Sequence, residues 1–311
     1  MGRLELTTTV ATCRRAANDL IRGVGACALI LGLGVVPMLS AEQAHAAVVE
    51  VNSIDAAFMA PGQWFENDVR AAGTASIQDL TGLGGNLETA APLPTGAARL
   101  TTGFDNNDKA EIGVVPVFGG ASTKAGDILA DATFTLEYSF HKAAVAGGNA
   151  FAAPAIKLTF FSSTFAGDGF GTLVYEPTWN QPGNLGSSVA VPTDQWTNVT
   201  IDLNNGLFWW TGGFGQPNTA GGPPLRTLSD WGGEFDPGFS DADLVLLSVG
   251  VGTFNQGQNG YFDNVGITRA GQTTTYDFQA ATAVPEPSSA LLFGIGLIGL
   301  GMLLRRRRLA A

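Results

Sequence analysis

Residues 132–140 read ATFTLEYSF. Phe134, Leu136, Tyr138 and Phe140 alternate with Thr133, Thr135, Glu137 and Ser139. This period of two sets one face of a strand on a core and the other toward water. The same period recurs in AIKLTFF, with Ile156, Leu158 and Phe160 on one face. In QWTNVTIDL, Trp196, Asn198, Thr200 and Asp202 stand against Thr197, Val199, Ile201 and Leu203. In GYFDNVGITR, Phe262, Asn264, Gly266 and Thr268 oppose Tyr261, Asp263, Val265 and Ile267. DLVLLSVGVG is more continuously apolar and predicts a central strand. Segments 48–54, 74–80, 97–101 and 110–117 bring the total to about ten short strands. Turn-forming clusters such as GLGGN, FDNND, AGGNA, AGDGFG and NQPGN separate them. No amphipathic segment of helical period and useful length interrupts the pattern, and no internal repeat is visible. The pattern predicts an all-β chain, a jelly-roll-like antiparallel β-sandwich.

The two ends break the alternation. At the C-terminal end Val284, Pro285, Glu286 and Pro287 precede an uncharged apolar run reaching Leu304, followed by Arg305, Arg306, Arg307 and Arg308. The prolines fix φ and remove donors, so a helix starts only after them. It then spans about 15–17 residues, the lower limit for one bilayer crossing. The arginines hold that end on the cytoplasmic side. Gly294, Gly296 and Gly299 match a dinucleotide-binding spacing, but with no strand before them they read as small residues of a transmembrane helix. The three parts in this order resemble a PEP-CTERM sorting signal. The resemblance implies export in a Gram-negative bacterium, a transient inner-membrane anchor, processing by an exosortase near Pro-Glu-Pro, and delivery to the cell surface or extracellular matrix. Such proteins accompany exopolysaccharide and biofilm production.

A sorting tail requires an export signal. Arg14, Arg15 and Arg22 form a basic region, residues 23–39 are apolar, and Ala44-His45-Ala46 is an A-x-A site that signal peptidase would cut before Ala47. The expected organisation is a signal peptide over 1–46, a β-sandwich extracellular domain over 47–279, a linker over 280–284 and the sorting signal over 285–308. The sandwich is thus flanked by an N-terminal signal helix and a C-terminal transmembrane helix. Cys13 and Cys27 both fall in the leader, so the mature chain has no disulfide, thiol nucleophile or cysteine metal site. His45 leaves with the leader, and His141, at a strand end, reads as a structural or solvated side chain.

The body carries 8 Lys and Arg against 23 Asp and Glu, a net −15. Charged residues are only 14% of the chain. An acidic body without basic patches argues against nucleic acid and anionic lipid, and suits neutral glycans or divalent cations. Sugars need aromatic planes beside polar side chains. Trp179, Trp231 and one of the adjacent strand residues Trp209 and Trp210 are the candidates for a shared glycan-binding face. Asp105, Asn106, Asn107 and Asp108 gather oxygens in one turn, with Asp241 and Asp243 a further pair. Asp105, Asn107 and Asp108 form the candidate calcium site, the one candidate cofactor, although such turns usually serve the backbone. Glycoside hydrolysis needs two facing carboxylates, for which Glu137, Glu176, Glu234 and Asp236 are available.

The phrases Trp196-Thr197-Asn198-Val199-Thr200-Ile201-Asp202-Leu203 and Tyr261-Phe262-Asp263-Asn264-Val265-Gly266-Ile267 resemble strands of galactose-binding-like and carbohydrate-binding-module jelly rolls. The resemblance implies that sandwich fold. The expectation is an exported, non-catalytic protein with a structural or adhesive role in envelope or biofilm exopolysaccharide. A carbohydrate-binding module is the alternative and a glycoside hydrolase the third reading. Its partners would be the exosortase, signal peptidase, the inner membrane transiently and exopolysaccharide.

Overall fold

The computed structural model describes residues 46–281, apart from 165–167, 213–221, 236–237 and 253. Ala44, Asp236, the sorting residues Val284, Pro285, Glu286 and Pro287, and Arg305, Arg306, Arg307 and Arg308 lie outside the described residues, while Ala46 is exposed just before the first strand.

The chain forms β1 (Ala47–Val51), β2 (Trp64–Glu66), β3 (Thr74–Asp79), α1 (Gly85–Thr89), β4 (Gly96–Thr101), β5 (Ala110–Val114), α2 (Ala125–Leu129), β6 (Thr135–Lys142) and β7 (Ala155–Phe161). It continues through β8 (Phe170–Tyr175), β9 (Trp196–Asp202), β10 (Phe208–Gly212), α3 (Leu228–Phe235), β11 (Asp243–Val251), β12 (Asn259–Arg269) and β13 (Gln272–Phe278). Among the described residues no helix is long and apolar enough to cross a membrane.

Two sheets pack face to face as a β-sandwich. In the seven-stranded sheet β12 is central, with β6 and then β9 on one side. Its other side is shared. The first half of β12 pairs with β4, which pairs with β3, and the second half pairs with β13. β1 joins β13 in parallel, a departure from the otherwise antiparallel pairing. The second sheet runs β10-β8-β7-β11-β5-β2, antiparallel throughout.

The core is aromatic. Trp64 packs against Tyr276 and Phe278 with ring centroids 5.5 and 5.0 Å apart, joining the two sheets at one end. At the other, Phe239 contacts Phe160 at 4.8 Å and Trp210 at 6.4 Å. Tyr138 and Phe140 stack beside Tyr175.

The alternation expected for β12 breaks in the middle. Phe262, Val265 and Ile267 are all buried in the one core, although strict alternation sets Phe262 opposite the other two. The register against β6 shifts between Asp263 and Gly266, and Asn264 sits at φ +53°. One inserted residue in the left-handed region is a bulge, and it returns Val265 to the face that Phe262 occupies. β11 does the same between Leu244 and Leu246, so Leu244 and Leu247 both point inward.

His141 is buried between the rings of Trp196 and Tyr261, at 5.6 and 5.9 Å, on the outer face of the larger sheet. Burial lowers its pKa. This histidine fills a satellite core under residues 80–97 and serves packing.

Candidate functional site

The six-stranded sheet keeps its inner face for the core and leaves the outer face partly open. A cleft of 1050 Å3 lies there. Strand register shows how it is built. Trp209 pairs with Val174, Val174 with Lys157, Lys157 with Ser248, Ser248 with Gly113 and Gly113 with Phe65. These six residues form one row across all six strands, all on the outer face. Five strand spacings of about 4.8 Å make the row roughly 24 Å long. An aromatic ring stands at each end and the Lys157 amine lies between, while the Ser248 hydroxyl is buried beneath the floor and donates to Glu111.

The floor is low where the second half of β11 and the residue after it offer small residues outward, whereas Val245 and Leu246 line the cleft before them. Ser248, Gly250 and Gly252 alternate with the buried Leu247, Val249 and Val251. A Cβ on Gly250 would lie 2.8 Å from the Cβ of Glu111, so glycine is what lets that side chain cross the floor.

Glu111 is the anchor of the floor. Its Oε1 accepts from Asn67 Nδ2 at 2.8 Å and from Ser248 Oγ at 2.9 Å. Its Oε2 pairs with Lys157 and, at 3.1 Å, with Lys109. Lys109 Nζ also donates to Asp68 Oδ2 at 2.7 Å. Burial alone would raise the pKa of Glu111, but the charges of Lys157 and Lys109 outweigh it and hold the carboxyl well below the usual range. Burial likewise opposes the charge of Lys109, while Glu111 and Asp68 keep its pKa raised.

The opposite shift occurs at Glu176. It follows directly on β8 and is half-buried beside two tryptophans. Trp179 Nε1 donates to Glu176 Oε2 at 3.2 Å. The loop is fixed by Asn180, whose Nδ2 donates to the carbonyls of Glu176 and Leu207 and whose Oδ1 accepts from Leu207 N. Burial raises the Glu176 pKa; the Trp209 and Trp179 indoles and the Lys157 charge oppose it without cancelling it. The cleft therefore holds two carboxyls of opposite tendency, one fixed as an anion and one biased toward the neutral acid.

Trp179 and Trp209 line this cleft, as do the phenyl rings of Phe58, Phe151, Phe170 and Phe254. Of the adjacent pair it is Trp209 that faces outward, and Trp231, expected on the same face, does not line the cleft. Trp210 points inward from β10 and is 1% exposed, because neighbouring strand residues face opposite ways. Trp231 lies on α3, 2% exposed, with Nε1 donating to the Phe208 carbonyl at 2.8 Å and the Arg226 guanidinium 5.1 Å from its ring. Its apolar rings are spent on the core, so neither can present a plane to a sugar.

The other candidates are dispersed. Glu137 sits exposed on β6 in the opposite sheet, and Glu234 pairs with Arg226 on α3. Asp105, Asn107 and Asp108 do share a turn, but its side-chain oxygens serve the backbone. Asp108 accepts from Ala72 N at 3.0 Å and Asp105 N at 3.1 Å, and Asp105 accepts from Asn107 N at 2.8 Å. Asp243 accepts from Thr123 and Lys124. Among the described residues no three His, Cys, Asp or Glu side chains cluster in a manner that would hold a metal. Sequence reasoning missed Glu111, Lys157, Lys109 and Asn67, whose signal was an outward alternation in AEIGV and AIKLTFF opposite the small residues of SVGVG.

The tail joins Pro-Glu-Pro, an apolar run and four arginines in one contiguous stretch. Residues 283–308 match the PEP-CTERM protein-sorting motif. The PEP-CTERM motif marks an exported protein sorted by an exosortase. No curated protein matches the chain by sequence. Among solved structures, a family 11 carbohydrate-binding module from Clostridium thermocellum, in complex with a β-1,3-1,4-mixed-linked tetrasaccharide, aligns at 13% identity and TM-score 0.34. That alignment covers 68% of this chain and 91% of the module. An exo-β-agarase aligns at 11% and 0.32, over 68% of this chain and 23% of the agarase. A β-1,2-glucanase from Parabacteroides distasonis aligns at 14% and 0.28, over 64% and 23%. This chain spans about a quarter of each of those two enzymes. Likenesses this distant carry no argument about what this chain binds.

Proposed function

We propose that the body is a non-catalytic glycan-binding module, carried to the cell surface of a Gram-negative bacterium by its sorting motif and adhering there to exopolysaccharide. The inner-membrane form is the intermediate that the exosortase receives. The row from Trp209 to Phe65 carries this reading. It marks the line of a cleft that crosses the strands for roughly 24 Å, with the Trp209 ring at one end, the Phe58 and Phe65 rings at the other and Lys157, Thr159 and Thr172 lining it between them, which suits a polymer lying across the strands. A body of net charge −15 favours a neutral polymer over an anionic one. Both oxygens of Glu111 are already engaged by Asn67, Ser248 and two lysines. A carboxylate bound that way is a poor nucleophile or base, which supports binding without turnover.

Affinity electrophoresis of the purified body in gels of soluble neutral polysaccharides tests the proposal. Retardation in at least one gel, lost in Trp209→Ala and Trp179→Ala but kept in Glu137→Ala, is the expected result. Equal mobility in all gels, or variants that migrate like wild type in a retarding gel, would refute it. Release of reducing ends by the wild-type body would replace the module with a hydrolase.

A further inference from the structure

We propose that Glu176 is the specificity-determining residue of the cleft and binds the glycan as a neutral acid, donating its proton to a sugar oxygen. The inference rests on the glycan-binding reading. Glu176 stands where a ligand on the Trp179 and Trp209 planes would touch it, and among the described residues it is the one cleft carboxyl not locked into the floor. The groups facing it are few. Trp179 and Trp209 offer indole N–H donors from the following loop and from β10. Lys157 faces it from β7, but that ammonium is in close contact with Glu111. The buried Tyr138 hydroxyl on β6 feels the Glu176 charge through space and donates to the Pro154 carbonyl at 3.1 Å.

No cation is therefore assigned to Glu176 as its own partner. A glycan seated on the two indoles would exclude water from the carboxyl and raise the cost of its charged form further. A protonated carboxyl both donates and accepts, the pairing a sugar hydroxyl presents. Burial has already moved the free protein in this direction. The carboxylate would be left to accept only, in a place where its charge is poorly compensated.

Isothermal titration of soluble β-glucan, galactomannan and dextran, from about pH 4 to about pH 8, tests this with wild type and Glu176→Gln. With the polysaccharide that binds, wild-type affinity is expected to fall about tenfold per pH unit above the Glu176 pKa. Glu176→Gln, permanently neutral and of the same shape, should keep the low-pH affinity within about threefold and lose the slope. Wild-type affinity that is flat or rises with pH overturns the inference while leaving glycan binding intact. So does a Glu176→Gln variant that is folded by circular dichroism yet keeps the wild-type pH slope or has lost binding. No heat from any polysaccharide at any pH removes the glycan-binding reading itself, and this inference with it.

Discussion

Replacing Asp263 by Asn should remove a large pH dependence of stability. Asp263 lies at the bulge of β12, fully buried. Its Oδ1 accepts from Phe278 N at 3.0 Å. Burial pushes its pKa up to about 7, with the nearby Asp277 adding to the rise and the N–H groups of Phe278, Asn264 and Leu93 opposing it. An unfolded aspartate titrates near 3.9. The difference is roughly 3 units at about 1.4 kcal/mol each, or roughly 4 kcal/mol. The folded pKa is raised, so the contribution is fully present below about pH 4 and lost as pH rises through about 7. Wild type should therefore lose stability relative to Asp263→Asn between about pH 4 and 7. Asn keeps the Oδ1 acceptor and puts an N–H2 where the protonated wild-type acid puts its O–H, at a position where Oδ2 has no partner, so the two proteins should be close in stability at about pH 4 and the variant the more stable at about pH 8.

Urea unfolding followed by tryptophan fluorescence reads both stabilities. The difference curve is the quantity to compare, because His141, whose pKa burial lowers, contributes a slope of opposite sign to both proteins. Glu111 and Asp131, whose folded pKa values are depressed, lose their contribution only as pH falls below the unfolded carboxylate range. A difference curve that is flat from about pH 4 to about pH 8 would show that Asp263 is ionised throughout and refute the reasoning.

Three further outcomes follow from the geometry. Glu111→Ala leaves Lys157 buried without its counter-charge and Lys109 with Asp68 alone, so thermal unfolding should register a loss of about 3–5 kcal/mol, and a loss under about 1 kcal/mol would show the network to be solvated. Trp210→Ala should cost about 3–5 kcal/mol through the cavity it opens, whereas Trp209→Ala should stay within about 1 kcal/mol of wild type and lose glycan binding instead; denaturant midpoints that move alike would contradict the inward and outward assignment. EDTA should leave the melting temperature unchanged, since Asp105 and Asp108 already accept backbone N–H groups, and a clear drop by calorimetry would place a cation in that turn.

The sandwich was legible wherever a strand buries one face only. In β7 Ile156, Leu158 and Phe160 alternate with the polar Lys157 and Thr159, and the first half of β6 alternates likewise, although its second half also buries Ser139, His141 and Lys142. β13, with its threonines at three successive positions in QTTTYDF, buries only Tyr276 and Phe278 and gave too weak an alternation to be read. α3 is a single helical stretch with two central glycines, Gly232 and Gly233, and such a composition hides a helix. That is why Trp231 was placed on a face with Trp179 when its ring belongs to the core. The bulge at Asn264 is a different kind of miss. Phe262 and Val265 share a face only because one backbone residue takes φ +53°, and Asn is among the few residues that do so readily. A bulge of this kind is legible in Asn or Asp only once the pairing partner is known.

The sorting motif and the cleft differ in the same way. The motif is contiguous, so its three parts can be recognised from residues 283–308 alone. The cleft is assembled across strands distant in sequence. Lys157 and Glu111 are 46 residues apart, yet they touch because β7, β11 and β5 lie side by side in one register. Shifting β5 by one residue would turn Glu111 into the core and Ile112 into the cleft. Alternation shows that Glu111, Lys157 and Trp209 each face away from the core of its own strand. It does not show that three strands bring them to one floor. Only register does that, and register is fixed by the inward residues: Ile112, Val249, Ile156 and Trp210, whose burial leaves each strand one way to sit. The polar floor of the cleft is thus positioned by the apolar residues on its reverse side, and a substitution there that slipped one strand would dismantle the site without touching any residue in it.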